Sequence, residues 1–211
     1  MKNAIPRYLG QQNLAKISCL LSGIKHFVFF GTLLGLVRDN NIIDGDDDVD
    51  LYVDIKHRND VIKILADSGY SLDFEQYPNT TPYFIQATIS KNNINIPTDF
   101  YFFEDDGQSK YILERWNFLA NVEDKNNHLL VPKDLLFPLQ TKEFFGANIA
   151  MPAKPEAVCK FLYGKHWLTP LKKEQEYRTL IVNNKPMVLI GLVGKIAFKI
   201  LRSYRKRTRK R

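Results

Sequence analysis

The chain has 211 residues, of which 45% are hydrophobic and 12% aromatic, so it can form a packed core and is not a disordered chain. Two cysteines, Cys19 and Cys159, are too few for a disulfide framework or a zinc cluster, and we expect both to be buried as small hydrophobic residues. The net charge is +7, but residues 205–211 carry six basic side chains and no acids, which leaves only +1 for the rest. The basic character therefore gives no reason to expect a nucleic-acid-binding body.

The first elements lead into a turn of small residues. The apolar spacing predicts a helix over Gln11–Ser22, a strand over His26–Phe30 and a short helix over Leu33–Val37. Between the last two lie Gly31 and Thr32. A glycine there lets an anionic ligand approach the backbone, and the following helix offers N–H groups to a phosphate.

The loop after this helix is crowded with carboxylates. Because such groups repel one another, each needs water, a cation or a proton. Side chains two residues apart in a strand leave the same face, so Asp48 and Asp50 point together, an arrangement that suits Mg²⁺ or Mn²⁺. We interpret Asp44 and Asp46 as solvated or turn-forming residues. The aspartates of the cluster are Asp44, Asp46, Asp47, Asp48 and Asp50.

Two other interpretations of these acids are weaker. A calcium loop of the EF-hand type would need glycine and glutamate where the chain has Val49 and Ile55, which excludes it. A solvated acidic loop is disfavoured because Val49 and Leu51 alternate with the carboxylates. Arg38, just upstream, either pairs with a nearby aspartate, orders the acidic loop or binds a substrate phosphate, and these roles are compatible.

A further carboxylate, Asp99, lies in an apolar strand that we predict over Ile94–Phe103, after a helix at Arg58–Ser68 and a strand at Phe84–Ser90. A buried charge needs a partner. That partner is either a basic side chain or, if the two strands are neighbours, the metal site of the earlier aspartates.

Strands and turns are predicted over Leu136–Leu139, Phe145-Gly146 and Met151-Pro152. Pro155 then begins a helix over Glu156–Tyr163, which Gly164 ends.

The C-terminal segment differs from the rest. Val188–Leu201 is apolar apart from basic residues that continue into the tail along one helical face, and it is too short and too charged to span a bilayer. It predicts an interfacial helix with a polybasic tail on anionic lipid. A core-packing helix with a solvated tail and nucleic-acid binding by the tail remain alternatives. The residues on this face are Lys195, Lys199, Arg202 and Lys206.

Several short segments of the sequence resemble the signature of the LicD/fukutin family, a branch of the nucleotidyltransferase-fold superfamily. They are Phe30-Gly31-Thr32, Leu33 to Arg38, Asp46-Asp47-Asp48, Asp48-Val49-Asp50-Leu51 and, later, Phe161 to Trp167 with Pro170. The resemblance implies an α+β fold, with a mixed β-sheet flanked by helices, in which a later strand supplies a third carboxylate, here Asp99. It implies a catalytic domain at residues 1–175, followed by the amphipathic helix and tail at 176–211.

The resemblance also implies an activity. Proteins of the LicD/fukutin family transfer a phospho-alcohol, such as phosphocholine or an alditol phosphate, from a CDP-activated donor to a hydroxyl of a cell-surface glycan, as in lipopolysaccharide, capsule or teichoic acid. The resemblance implies the same activity for this chain. A nucleotidyltransferase and a non-catalytic membrane-associated protein are the alternatives. Mg²⁺ or Mn²⁺ is the expected cofactor. The expected location is the cytoplasm, at the inner face of the cytoplasmic membrane: two cysteines suit a reducing setting, residues 1–10 are polar and lack the apolar segment of a secretory signal, and the C-terminal helix suits a membrane surface.

The residues expected at this site fall into two groups. Asp48, Asp50 and Asp99 would bind the metal and act in catalysis. Substrate contacts are expected from Gly31, Thr32, Arg38 and Asp47.

Overall fold

The computed structural model describes residues 5–74, 83–115, 128–170 and 177–190. Its helices are α1 (Arg7–Leu20), α2 (Phe30–Arg38), α3 (Arg58–Asp67), α4 (Lys133–Leu136) and α5 (Pro155–Tyr163), with a 3₁₀ turn at Ile55–His57. The strands of the first half are β1 (His26–Val28), β2 (Val49–Asp54), β3 (Ser71–Asp73), β4 (Phe84–Lys91), β5 (Ile94–Glu104) and β6 (Tyr111–Glu114). Those of the second half are β7 (Leu129–Pro132), β8 (Gln140–Phe144), β9 (Ala147–Met151), β10 (Tyr177–Val182) and β11 (Lys185–Ile190).

A seven-stranded mixed sheet forms the centre of the fold. Its strands follow the order β1-β2-β5-β4-β3, and β6 links β5 to β7. The pairing of β2 with β5 is parallel, whereas β1–β2, β4–β5 and β3–β4 are antiparallel. Separate hairpins are formed by β8 with β9 and by β10 with β11. The predicted α+β class, with a mixed sheet flanked by helices, is confirmed.

The two central strands β2 and β5 are buried on both faces. All six residues of β2 are buried, and Phe100 and Phe102 of β5 are fully enclosed. Burying an aromatic side chain of this kind stabilises the fold by about 1.5–3 kcal/mol. Phe29 stacks on Tyr52 with ring centroids 3.9 Å apart, which packs the entry into α2 against β2.

The first helix is fixed to the sheet by a buried polar network as well as by apolar contacts. Asn13 of α1 donates from Nδ2 to Oγ1 of Thr98 at 2.8 Å, and the hydroxyl of Tyr70 donates to Oδ1 of Asn13 at 2.7 Å. Buried polar groups of this kind are costly unless they are hydrogen-bonded, and here each has its partner. The network therefore fixes α1 in one position on β5.

Some predicted boundaries were wrong. Helix α1 begins at Arg7 rather than Gln11, because Pro6, with a φ that suits a helix start, precedes its first turn. The Gly-Thr turn is the first turn of α2 itself. Leu136, which we placed among strands and turns, is the last residue of α4. Cys159 is buried as expected, but Cys19 is exposed, near the C-terminal end of α1.

The predicted C-terminal helix does not begin at Val188. That residue lies in β11, which pairs with β10 in register from Val182↔Lys185 to Tyr177↔Ile190. Asn183 and Asn184 both have positive φ, the geometry of a two-residue hairpin turn in which asparagine is favoured. Residues 191–211, with the rest of the predicted helix and the tail, lie outside the described residues, and the boundary at 175/176 stays a prediction.

Among the helices that the structure describes, none has the length and apolar character needed to cross a membrane.

Candidate metal centre

The parallel pairing of β2 and β5 brings two aspartates from distant parts of the chain side by side. Asp50 and Asp99 occupy the same register, so their side chains leave the same face of the sheet. Asp48 precedes β2 by one residue and lies beside them. One carboxylate oxygen from each of the three lies within 4.8 Å of the others. The three residues predicted as metal ligands therefore meet, and their roles stay predictions.

The N-terminus of α2 holds the carboxylate of Asp50. The backbone N–H of Gly31 donates to Oδ2 of Asp50 at 2.9 Å, and that of Thr32 donates to the same oxygen at 3.4 Å. In return, the backbone N–H of Asp50 donates to Oγ1 of Thr32 at 2.8 Å. The helix dipole adds to this attraction. These N–H groups were expected to bind a phosphate, but here they orient a carboxylate of the protein.

Little space is left beside Gly31. A β-carbon on Gly31 would lie 3.1 Å from Oδ2 of Asp50 and 3.2 Å from Oδ2 of Asp46, closer than ordinary contact. The preceding residue, Phe30, has a φ of +40°, which is strained for a side chain of its size. The turn from β1 into α2 is therefore sharp, and it carries the backbone to the carboxylates.

The electrostatics of the cluster favour a bound cation. Burial raises the pKa of the Asp50 carboxyl well above its ordinary value, and the charges of Asp48 and Asp99 raise it further. Asp46 contributes in the same direction, while the hydrogen bond from Thr32 opposes the shift. A divalent cation would offset both the burial and the repulsion. An all-oxygen set of this kind fits Mg²⁺ or Mn²⁺.

Two neighbours of the cluster could not be identified from sequence patterns. Gln86 of β4 donates from Nε2 to Oδ1 of Asp99 at 2.7 Å, and the hydroxyl of Tyr101 lies 3.4 Å from Oδ1 of Asp50. The alternation of β4 placed Gln86 on the polar face, but only the β4–β5 register shows that it lies opposite Asp99.

The acidic loop, residues 39–48 between α2 and β2, contributes a second group of carboxylates. Oxygens of Asp46, Asp47 and Asp48 lie within 4.8 Å of one another. Asp46 was interpreted as a turn residue, and its Oδ1 does accept from the N–H of Asp47 at 3.2 Å, yet the residue also lies at the metal centre. Asp44 is exposed and forms an ion pair with Arg7, as expected for a solvated residue.

Arg38 lies at the opposite end of α2 from Gly31, about 10 Å along the helix axis at 1.5 Å per residue. Its guanidinium donates to both carboxylate oxygens of Asp39, at 2.8 and 2.7 Å, and its side chain is largely buried. The predicted pairing with a nearby aspartate is therefore present. Contact of Arg38 with a substrate phosphate stays a prediction.

Comparisons with known proteins agree with this geometry. A protein-family model described as "LicD/FKTN/FKRP, nucleotidyltransferase domain" matches residues 23–154, a range that contains α2, the acidic loop, β2 and β5. No curated protein matches the sequence. Among solved structures, the chain is similar to the lincosamide antibiotic adenylyltransferase LnuA in a lincomycin-bound crystal structure. The identity is 17% and the TM-score 0.53, over 77% of this chain and 89% of that one, so the likeness shows a shared nucleotidyltransferase fold.

Proposed function

Because the chain belongs to the LicD/FKTN/FKRP family, we propose that it is a metal-dependent phosphotransferase. It moves a phospho-alcohol, phosphocholine or an alditol phosphate, from a CDP-activated donor to a hydroxyl of a cell-surface glycan. The observation that supports this most directly is the meeting of Asp48, Asp50 and Asp99 within 4.8 Å at the N-terminus of α2.

The three aspartates would hold the metal, Mg²⁺ or Mn²⁺. When bound, such an ion supplies charge neutralisation for the diphosphate of the donor and a template that orients donor and acceptor. The protein keeps the ligands in place: the N–H groups of Gly31 and Thr32 orient Asp50, and Gln86 orients Asp99.

The acceptor hydroxyl must lose its proton as its oxygen bonds to the phosphorus atom of the phospho-alcohol, while the bond from that phosphorus to the CMP leaving group breaks. We assign this proton to Asp99, which is ordered by Gln86 at one oxygen and lies at the edge of the cluster nearest β4. Asp47 and Gly31, which are both partly exposed, would contact the substrate, whereas the buried Thr32 would act on it through Asp50. Arg38 orders the start of the acidic loop through Asp39. We also assign it a contact with the substrate.

An acceptor that is linked to lipid would place the enzyme at a membrane surface. The six basic residues at 205–211 would draw the chain to anionic lipid at the inner face of the cytoplasmic membrane. Their attraction depends on charge and weakens with salt.

The test is calorimetric binding of CDP-choline, CDP-ribitol, CDP-glycerol and ATP, each with and without Mg²⁺, to the wild-type chain and to Asp48→Asn. Metal-dependent binding of one CDP conjugate, lost in the variant, is the expected result and identifies the donor. Product analysis then shows which half of the donor is on the acceptor. Tighter metal-dependent binding of ATP would favour nucleotidyl transfer instead, and no metal-dependent binding of any of the four would contradict the proposal.

A further inference from the structure

Asp48 is held differently from the other two ligands. Asp50 and Asp99 lie within paired strands, whereas Asp48 precedes β2 and belongs to the acidic loop. The position of Asp48, and of Asp46 and Asp47 beside it, therefore depends on what holds this loop.

Asn41 anchors the acidic loop to two helices. Its Oδ1 accepts a hydrogen bond from Nε2 of Gln11 at 2.8 Å and another from the backbone N–H of Ile42 at 2.8 Å. Its own backbone N–H donates to the carbonyl of Gly35 at 3.2 Å. Asn41 thus joins α1 and α2 to the loop.

The loop lies directly on α2 at this point. A β-carbon on Gly35 would lie 2.5 Å from the carbonyl oxygen of Asn41 and 2.9 Å from the backbone nitrogen of Ile43. Both are backbone atoms, which move only if the loop moves. The close approach fixes how far the loop stands from the helix whose first turn binds Asp50.

The start of α1 holds the loop from the other side. The backbone N–H of Ile5 donates to the carbonyl of Asp46 at 3.1 Å, and Ile42 is buried against Gly10. Gln11 is only 7% exposed, so its hydrogen bond to Asn41 is shielded from water. The neighbouring Gln12 is exposed and accepts from Lys91 at 2.7 Å, away from the loop.

From these contacts we propose that Gln11 is a positioning residue of the metal centre, acting through Asn41 to fix the acidic loop and with it Asp48. The inference rests on the proposed function, since it assumes that Asp48 binds the metal. A residue in α1 would then set the metal affinity of a site whose ligands all lie in later elements.

The experiment is a Mn²⁺ titration of the full chain well below its melting temperature. Electron paramagnetic resonance detects the free Mn²⁺ and gives the Kd. Gln11→Met keeps the length of the side chain and removes the donor, and Gln12→Met is the matched control on the same helix. Partners that orient metal ligands typically change affinity by about 10–100-fold when removed, so we expect Gln11→Met to raise the Kd for Mn²⁺ about tenfold. Gln12→Met is expected to bind as the wild type does.

A second pair of variants, at Asn41, separates a loss of Mn²⁺ affinity from a loss of folding stability. Asn41→Asp keeps the oxygen that accepts from Gln11 and Ile42, so it should retain most of the Mn²⁺ affinity, whereas Asn41→Leu should lose it. A role in stability alone would lower the melting temperature and leave the Kd unchanged.

The outcomes separate the two proposals. Wild-type Mn²⁺ affinity in a folded Gln11→Met, or in Asn41→Leu, would overturn the positioning role while leaving the metal centre in place. Failure of the wild type to bind Mn²⁺, or equal binding by Asp48→Asn, would overturn the metal centre and this inference together.

Discussion

At the scale of single residues, Thr32 links the helix to the carboxylates in both directions. Its N–H points toward Asp50, and its hydroxyl oxygen accepts from the N–H of the same residue. Thr32 is fully buried, so its hydroxyl and the N–H of Asp50 depend on each other for a hydrogen bond.

Replacing Thr32 by valine should therefore destabilise the fold. Valine has nearly the same shape but leaves the buried N–H of Asp50 without its acceptor, which costs about 1–3 kcal/mol of unfolding free energy. Urea denaturation measures the difference. Thr32→Ser keeps the hydroxyl and should lose clearly less; equal losses in both variants would assign the effect to packing rather than to the hydrogen bond.

A different result is expected at Asp48, whose substitution removes a charge from a crowded cluster. Asp48→Asn should abolish turnover and leave the fold intact, because asparagine fits the space but supplies no anionic ligand. Steady-state assays together with circular dichroism test this, with Asp44→Asn as the control, since Asp44 is exposed and paired with Arg7. Retained turnover in Asp48→Asn would argue against a metal at this site.

The sequence alone predicted the three aspartates that meet at this site but not the residues beside them. The period-two pattern around Asp48 and Asp50 placed both side chains on one face of a strand, and the cost of a buried charge made Asp99 conspicuous. Gln86 and Asp46 were missed for a physical reason. Their contacts depend on strand register and loop path, which arise from long-range packing and leave no local pattern.

At the scale of elements, the turn after β5 is joined to two other parts of the fold. Asp105 accepts from Lys25, which precedes β1, and from Lys133 at the start of α4. Lys25 also lies 4.0 Å from the centroid of the Phe137 ring. The turn thus ties the end of the central strand to β1 and α4.

The ion pairs of Asp105 with Lys25 and Lys133 should make the stability of the fold depend on pH in the acid range. Burial alone would raise the pKa of Asp105, but hydrogen bonds from Lys133, Gly107 and Lys25 outweigh it and lower the pKa to about 2. The resulting stability is present above pH 3.8, the ordinary value, and is lost as the pH falls toward 2.

Asp105→Asn should accordingly be less stable than the wild type at neutral pH, and the difference should shrink below pH 3.8. Urea unfolding of both proteins at a series of pH values measures it. A difference that does not change with pH would show that the charge of Asp105 is not responsible.

Elements were predicted well where the pattern was clean. The strand predicted at Phe84–Ser90 and the helix start at Pro155 have local causes, and each appears in the structure as β4 and α5. The β10–β11 hairpin was missed because β11 ends in the apolar run that begins at Val188, and the basic residues further along that run recur at helical spacing.

At the scale of the whole molecule, charge is concentrated at one end of the sequence. The six basic residues at 205–211 account for nearly all of the net charge of +7. If they attract the chain to a membrane surface, as we propose, membrane binding should require anionic lipid and fall as salt rises.

Replacing all six by glutamine should abolish sedimentation with vesicles of phosphatidylglycerol. The change should leave turnover on a soluble acceptor unaltered, because the metal centre lies elsewhere in the chain. Vesicles of phosphatidylcholine serve as the neutral control. Binding that persists in the substituted protein would assign membrane contact to another segment.

The parallel pairing of β2 with β5 also makes ion binding part of the folding equilibrium. Asp50 and Asp99 are separated in sequence by α3, β3 and β4 and lie side by side only when β2 pairs with β5, so the unfolded chain presents no such site. An ion that binds only the native chain stabilises it by about 2.7 kcal/mol at a free concentration one hundred times its Kd. The melting temperature of the wild type should therefore rise with added Mn²⁺, and that of Asp48→Asn should not. In a cell, the supply of divalent ions would then govern how long the enzyme survives as well as how fast it works.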